Sequence, residues 1–347
     1  MATNVTSTAN GHIRVKFWGV CGSIPRPLDP AEITDKIAQG INLALQHGLT
    51  RDANPEHIRT WMERELTFEQ RSTYGGNTTC VEVMCDDELI ILDMGTGIRP
   101  LGNDLLKRIF ASKKAIKGTI LQSHMHWDHI QGFPFWKLLY LPNTLFANEF
   151  TFYGGREWDK SLEDVLKGQM NAPVFPVDLR EIAKTGLRMH FETVWDGRQI
   201  EIPTSNGPIK ILCQKLHHPQ ETYGYRIEYC GEIFTFCTDH EPFAAVDRKL
   251  ITLAQNADIF VTDCQYSEHD YSGHAGKVQK IGWGHSFPGY IAEVVRIAQP
   301  KLVITTHHEP DSSDEQIAQL AQEVERLSGI TTYAANEGLT LTCLEAR

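Results

Sequence analysis

No two cysteines in this sequence stand in C-x-x-C spacing, although the chain contains eight of them. That absence removes the usual zinc-ribbon and dithiol redox motifs. Several of the thiols, Cys80, Cys213 and Cys237 among them, sit inside apolar strand-like runs. They read as buried reduced cysteines rather than as a disulfide framework. Nor is there an apolar run near the ~20 residues that span a bilayer. The first dozen residues are small and polar, without the apolar core of a secretory signal, so the expected compartment is the cytoplasm, with no membrane partner. Basic residues are scarce as well: Lys and Arg total 33 against 44 Asp and Glu, a net charge of -11. Nucleic-acid affinity comes largely from Lys and Arg neutralising phosphates, which argues against a nucleic acid as the main partner. Fixed-period repeats and low-complexity tracts are also missing.

What the chain does have is a succession of short apolar runs. Residues 15–18, 81–85, 89–93 and 119–122 read as strands, because β-branched and large apolar residues cluster between glycine or polar turns. The same pattern continues at 150–153, 209–216, 225–229, 233–237, 259–262 and 302–305. Helices are expected at 100–110, 161–169, 247–254, 289–298 and 314–327. This alternation gives an α/β class in which two sheets meet face to face under outer helices, since sheet faces need cover. Two stretches fall outside the alternation. Residues 29–70 place Ile33, Ile37, Ile41 and Leu45 at helical spacing and predict one or two amphipathic helices. Their apolar face is expected to pack on the sandwich, the alternatives being a lid or a homodimer face. Residues 133–208 include a proline- and aromatic-rich piece, 169–176, expected to be an ordered loop bordering the substrate.

The densest chemical signal is His124-Met125-His126-Trp127-Asp128-His129, three imidazoles and a carboxylate directly after an apolar run. Alternate side chains of an extended segment point the same way, so His124 and His126 can share one ion. Asp128 and His129, past a turn, can face a second. Nitrogen and oxygen ligands at this density suit zinc-like ions.

The pattern H-x-H-x-D-H resembles the metallo-β-lactamase superfamily, and the remaining motifs of that family follow in order. Asp93-Met94-Gly95-Thr96-Gly97 is similar to its aspartate-glycine turn beside the metals. His218, within Leu216-His217-His218-Pro219, resembles the third histidine, the choice over His217 resting on the strand that follows. Asp239, at the end of Phe234-Thr235-Phe236-Cys237-Thr238, looks like the bridging aspartate. His307, chosen over His308, looks like the last ligand. Phe17-Trp18-Gly19-Val20-Cys21-Gly22-Ser23-Ile24-Pro25, Tyr74-Gly75-Gly76-Asn77-Thr78-Thr79-Cys80 and Gly282-Trp283-Gly284-His285-Ser286 are similar to the ribonuclease Z-like and cyclic-phosphodiesterase branch.

The resemblance implies an αββα metallo-β-lactamase sandwich with helical and loop insertions. A chain of 347 residues exceeds the usual domain size. Ligands spread from His124 to His307 still point to one domain over 1–347, with insertions at about 29–70 and 133–208. It implies two divalent ions, zinc first with manganese or iron as alternatives, on His124, His126, Asp128, His129, His218, Asp239 and His307. Asp128 and His285 are the expected catalytic residues. The ions would share a hydroxide that hydrolyses a small phosphodiester, a cyclic nucleotide or other cyclic phosphate. His285 would protonate the leaving oxygen, oriented by Glu268 or Asp263. Histidine at position 126 departs from the oxygen-reducing diiron branch, where a glutamate is expected. Two other hydrolases stay open: a thioester or ester hydrolase of glyoxalase II type, and an RNA-processing endonuclease of ribonuclease Z type. The latter's glycine-rich basic arm has no counterpart in this sequence.

Overall fold

Two seven-stranded sheets carry the chain. The computed structural model describes residues 12–49, 53–273 and 278–344. Nearly all of the N-terminal stretch in which no signal was seen, and residues 50–52 of the first insertion, lie outside the described residues. In the first sheet the strands run, side by side, Thr340–Thr342, Ile13–Gly19, Cys80–Cys85, Glu88–Leu92, Lys117–Leu121, Glu149–Gly154 and Arg188–Thr193. The order in the second is Thr332–Ala334, Leu302–Thr306, Ile259–Asp263, Glu232–Cys237, Thr222–Tyr229, Ile209–Leu216 and Gln199–Ile202. Each sheet is part parallel and part antiparallel.

Strand alternation explains the layering. Ile90 and Leu92 point between the sheets, where they join Val15, Phe17, Ile211, Tyr225, Phe234, Phe236, Val261 and Ile304 in a sealed core. Their neighbours Leu89 and Ile91 point outward and are covered by Leu101, Leu105 and Ile109 of the helix Ile98–Ser112. On the far side Phe260 and Val303 lie beneath the helices Arg248–Ala254, Pro288–Ala298 and Asp314–Ser328. The architecture is therefore the αββα sandwich expected. All eight cysteines are free, and only Cys230 is exposed. No helix among the described residues is long and apolar enough to cross a membrane.

The two insertions differ from expectation in detail. Helices form at Pro30–Gln46 and Pro55–Glu65, the first started by an Asp29 and Glu32 capping box. The first helix buries no residue at all, and Ile33, Ile37, Ile41 and Leu45 are 48% to 74% exposed. Its apolar stripe does not pack on the sandwich. The helix is held instead from its polar side, where Lys36 Nζ meets Asp314 Oδ2 at 2.8 Å and the Ser72 carbonyl at 3.0 Å. In the second insertion, beyond the expected strand at Glu149–Gly154 and helix at Leu162–Gln169, the chain forms a helix at Leu179–Thr185 and strands at Arg188–Thr193 and Gln199–Ile202.

Candidate metal centre

Every strand that delivers a candidate ligand ends at the same edge of the sandwich, so the chain turns there repeatedly, past the carboxyl ends of strands as in other α/β sites. His124 and His126 follow Lys117–Leu121, and Asp128 and His129 lie on the short helix Trp127–Ile130. His218 follows Ile209–Leu216, Asp239 follows Glu232–Cys237, and His307 follows Leu302–Thr306. Asp93, Asp239 and His307 hold φ of 62°, 43° and 61°. Left-handed backbone costs a non-glycine residue about 1–3 kcal/mol, a strain the surrounding sheet ends must impose in order to aim these side chains.

The seven expected ligands come together as two groups that share Asp239. The first is His124, His126, His218 and Asp239. Asp239 Oδ2 lies 3.5 Å from His124 Nε2 and 4.0 Å from His218 Nε2. The second is Asp128, His129, His307 and Asp239. Here the other oxygen, Asp239 Oδ1, lies 3.2 Å from His129 Nε2 and 3.3 Å from His307 Nε2, while Asp128 Oδ2 is 3.0 Å from His307 Nε2. One carboxylate thus turns one oxygen to each group. His124 Nε2 and His218 Nε2 are buried without any hydrogen-bond partner. Leaving such nitrogens unpaired is costly, and a divalent cation between them and Asp239 removes the cost, so the donor set fits a metal ion.

Charge divides the same way. Burial, with His129 next to it, holds His124 well below an ordinary imidazole, and burial lowers His218 to about 4. Both therefore present neutral nitrogens. Burial also opposes charge on His307, but Asp239 and Asp128 outweigh it and raise this group to about 9. His129 is raised too, burial again being overcome by Asp239, Asp128 and Asp93. Burial works against ionisation of Asp128 and Asp239, yet the histidines beside them hold both carboxyls well below the usual range.

Both doubled histidines separate clearly. His218 is buried, whereas His217 is exposed, bonds the Glu241 carbonyl through Nδ1 at 3.1 Å and stacks on Phe243. His307 faces the two carboxylates, while His308 turns its Nε2 to the Ala335 carbonyl at 2.8 Å. His126, half-buried, bonds Gln220 Oε1 through Nε2 at 2.7 Å.

Asp93, expected beside the metals, and Gln265, which the sequence did not single out, support the candidate ligands. Asp93 accepts hydrogen bonds from Ser123 N, Ser123 Oγ and Gln122 Nε2 and lies 2.7 Å from His129 Nδ1. A carboxylate on the far nitrogen of a ligand histidine fixes its tautomer. Gln265 does the same for His307, its Oε1 standing 3.1 Å from Nδ1. Between the two proposed orienting groups for His285 the geometry selects Asp263, whose Oδ2 lies 2.7 Å from His285 Nδ1. The motif glycines have steric reasons: a Cβ on Gly22 would fall 2.5 Å from His307 Nδ1, and one on Gly284, at φ +95°, 2.3 Å from His218 Cδ2.

The family model described as a beta-lactamase superfamily domain matches residues 90–308, the span that holds all of these ligands. The chain belongs to the beta-lactamase superfamily. Several proteins of solved structure share the fold. The metallo-beta-lactamase fold protein YhfI from Bacillus subtilis is 14% identical, with 95% of this chain and 98% of that one covered at a TM-score of 0.57. Yeast PDE1 is 13% identical over 96% and 99%, with a TM-score of 0.59. The short form of human tRNase Z is 15% identical over 95% and 99%, with a TM-score of 0.52. At such identities the likeness is one of fold. No curated protein sequence matches the chain. Together, the superfamily fold and the shared-aspartate cluster support a metal-dependent hydrolase.

Proposed function

We propose that the chain is a dinuclear metal-dependent phosphodiesterase acting on a small phosphodiester, a cyclic nucleotide or a related cyclic phosphate. The observation that carries this reading is the Asp263 and His285 pair beside the shared aspartate. His285 stacks on His307 with centroids 4.9 Å apart, and its Nδ1 lies 3.9 Å from Asp239 Oδ2. Asp263 Oδ1 is held by the Ser286 and Gln265 backbone N–H groups at 3.0 and 3.1 Å. That leaves Oδ2 to fix the imidazole and only Nε2 to serve substrate.

Two divalent ions, one on His124, His126, His218 and Asp239 and one on Asp128, His129, His307 and Asp239, would supply hydroxide near neutral pH and neutralise charge on the phosphoryl oxygens. Zinc suits these donors, as do manganese and iron. His285 would act on the leaving side: as the P–O bond to the alkoxide breaks, the alkoxide would take the Nε2 proton of His285. An alkoxide needs that proton. A thiolate, whose parent acid has a pKa near 8.5, departs without it, so His285 would be idle in a thioesterase. Yeast PDE1 and human tRNase Z share this fold, which is compatible with phosphodiester chemistry but does not select the substrate. The net charge of -11 favours a small substrate over RNA.

The test is a screen of cyclic nucleotides, cyclic ribose phosphates, linear phosphodiesters and thioesters, with metal content measured on the same sample. His285→Ala should lower turnover of an alkyl phosphodiester by roughly a hundredfold or more and that of a nitrophenyl ester far less, without loss of metal. Equal losses on both would remove the acid role. Strong thioesterase activity without phosphodiester cleavage would overturn the substrate class.

A further inference from the structure

Glu241 is a carboxylate only 3% exposed, two residues after the shared Asp239, and it belongs to none of the ligand groups. Its backbone is paired to His217 in both directions: the Glu241 N–H donates to the His217 carbonyl at 2.8 Å, and His217 Nδ1 donates back to the Glu241 carbonyl. This fixes the base of the side chain beside His218. Its carboxylate reaches the opposite wall. Oε1 accepts from Tyr271 Oη at 2.8 Å and from Gly282 N at 2.5 Å, and Oε2 accepts from Gly284 N at 3.0 Å.

The segment that it grips has little power to set its own shape. Gly282 and Gly284 hold φ of +86° and +95°, in regions that glycine enters and leaves at small cost. Yet Gly284 must lie flat against His218, with no room for a Cβ, and the next residue is His285. An outside anchor is required, and two backbone N–H groups converging on one buried acceptor provide it. We propose that Glu241 is the positioning residue of the site, registering the 282–285 segment so that Gly284 backs His218 and His285 stands beside Asp239. Asp263 sets the ring of His285, and Glu241 sets its backbone.

The kinetic part of the test rests on the acid role proposed for His285, and the spectroscopic part does not. In Glu241→Gln one acceptor oxygen becomes an amide donor facing N–H groups, so at least one of the three bonds is lost. On an alkyl phosphodiester, turnover should fall tenfold or more, and on the nitrophenyl ester less than about threefold, repeating the selectivity of His285→Ala. In the double variant with His285→Ala, the Gln substitution should add less than about threefold on the alkyl ester, because both act on one step. Independently, the His285 ring resonances and the Gly284 amide of the zinc-loaded protein should shift in Glu241→Gln while zinc content stays at the wild-type level. Should Glu241→Gln fail to fold, Tyr271→Phe, which keeps both glycine contacts, should give the same selective loss at smaller size. Equal losses on both substrates, or full additivity in the double variant, would overturn the proposal. If His285→Ala proves unselective, the acid reading fails and the resonances decide: unmoved His285 and Gly284 signals would overturn the positioning role.

Discussion

Replacing Asp93 by Asn should weaken one metal ion and spare the other. The carboxylate sits at the centre of four contacts, with Ser123 N and Gln122 Nε2 on Oδ1 and Ser123 Oγ and His129 Nδ1 on Oδ2. In the variant, the remaining oxygen can keep the first two, and the serine hydroxyl can rotate to accept. The His129 N–H cannot adapt, because it now meets an amide donor. Either it stays unpaired, a buried loss of about 1–3 kcal/mol, or the proton moves to Nε2, the atom 3.2 Å from Asp239 Oδ1 and needed for the ion. Removing such a partner of a ligand histidine typically costs tenfold to a hundredfold in metal affinity, about 1.4–2.8 kcal/mol at 1.4 kcal/mol per tenfold. On the other side only His124 is linked to Asp93, and indirectly, through Ser123 Oγ at 3.0 Å from its Nδ1, so that side should stay within about threefold of the wild type. Zinc titration of the apoprotein against a competing chelator, resolved into two steps, measures both. Unchanged affinity at both steps would refute the reasoning.

About two ions per chain are expected, because the ligands divide around Asp239. His126→Ala or Asp128→Ala should lower metal content and hydrolysis together, and full activity with a single ion would exclude the two-ion scheme. At the doubled positions, His218→Ala and His307→Ala should reduce metal content more than His217→Ala and His308→Ala, and the reverse order would move the ligand register by one residue. Away from the site, hydrogen bonds from Tyr229 and Asn206, with His12 adding to them, hold the Asp86 carboxyl below its ordinary value. A depressed folded-state pKa stabilises above the unfolded value and is lost as pH falls through the folded one. Asp86→Asn should therefore reduce thermal stability at pH 7 by a small amount, under about 1 kcal/mol for so exposed a group, and the difference should shrink in melting curves as the pH is taken below the ordinary carboxylate range. A difference that grows with acid would contradict the assignment.

How far the sequence reaches can be read element by element. The strands that lie inside the sheets were legible, some as continuous apolar runs buried on both faces, such as Ile259–Asp263 and Leu302–Thr306, and others by alternation, such as Ile13–Gly19. Four strands of the two seven-stranded sheets were not: Arg188–Thr193, Gln199–Ile202, Thr332–Ala334 and Thr340–Thr342. They are the four sheet edges. An edge strand is short and half-solvated, so its composition resembles a loop. The stripe Ile33, Ile37, Ile41 and Leu45 announced a helix, but periodicity says which face is apolar and nothing about whether another element covers it.

The candidate site divides along the same line. Its candidate ligands could be named because His124, His126, Asp128 and His129 are packed into six positions, and the rest each follow an apolar strand, so a local pattern with a family resemblance brought out the side chains that the fold gathers. The following strand already favoured His218 over His217, and burial sets the two apart, whereas only the tertiary structure separates Asp263 from Glu268, through a 2.7 Å contact. It alone reveals that the two oxygens of Asp239 face different histidine groups, and that Asp93, Gln265 and Glu241 contact His129, His307 and the Gly282 and Gly284 N–H groups. Ligand identity is written into short segments because a metal demands particular atoms. Orientation is set by single polar side chains arriving from distant strands, and no spacing in the sequence encodes that convergence.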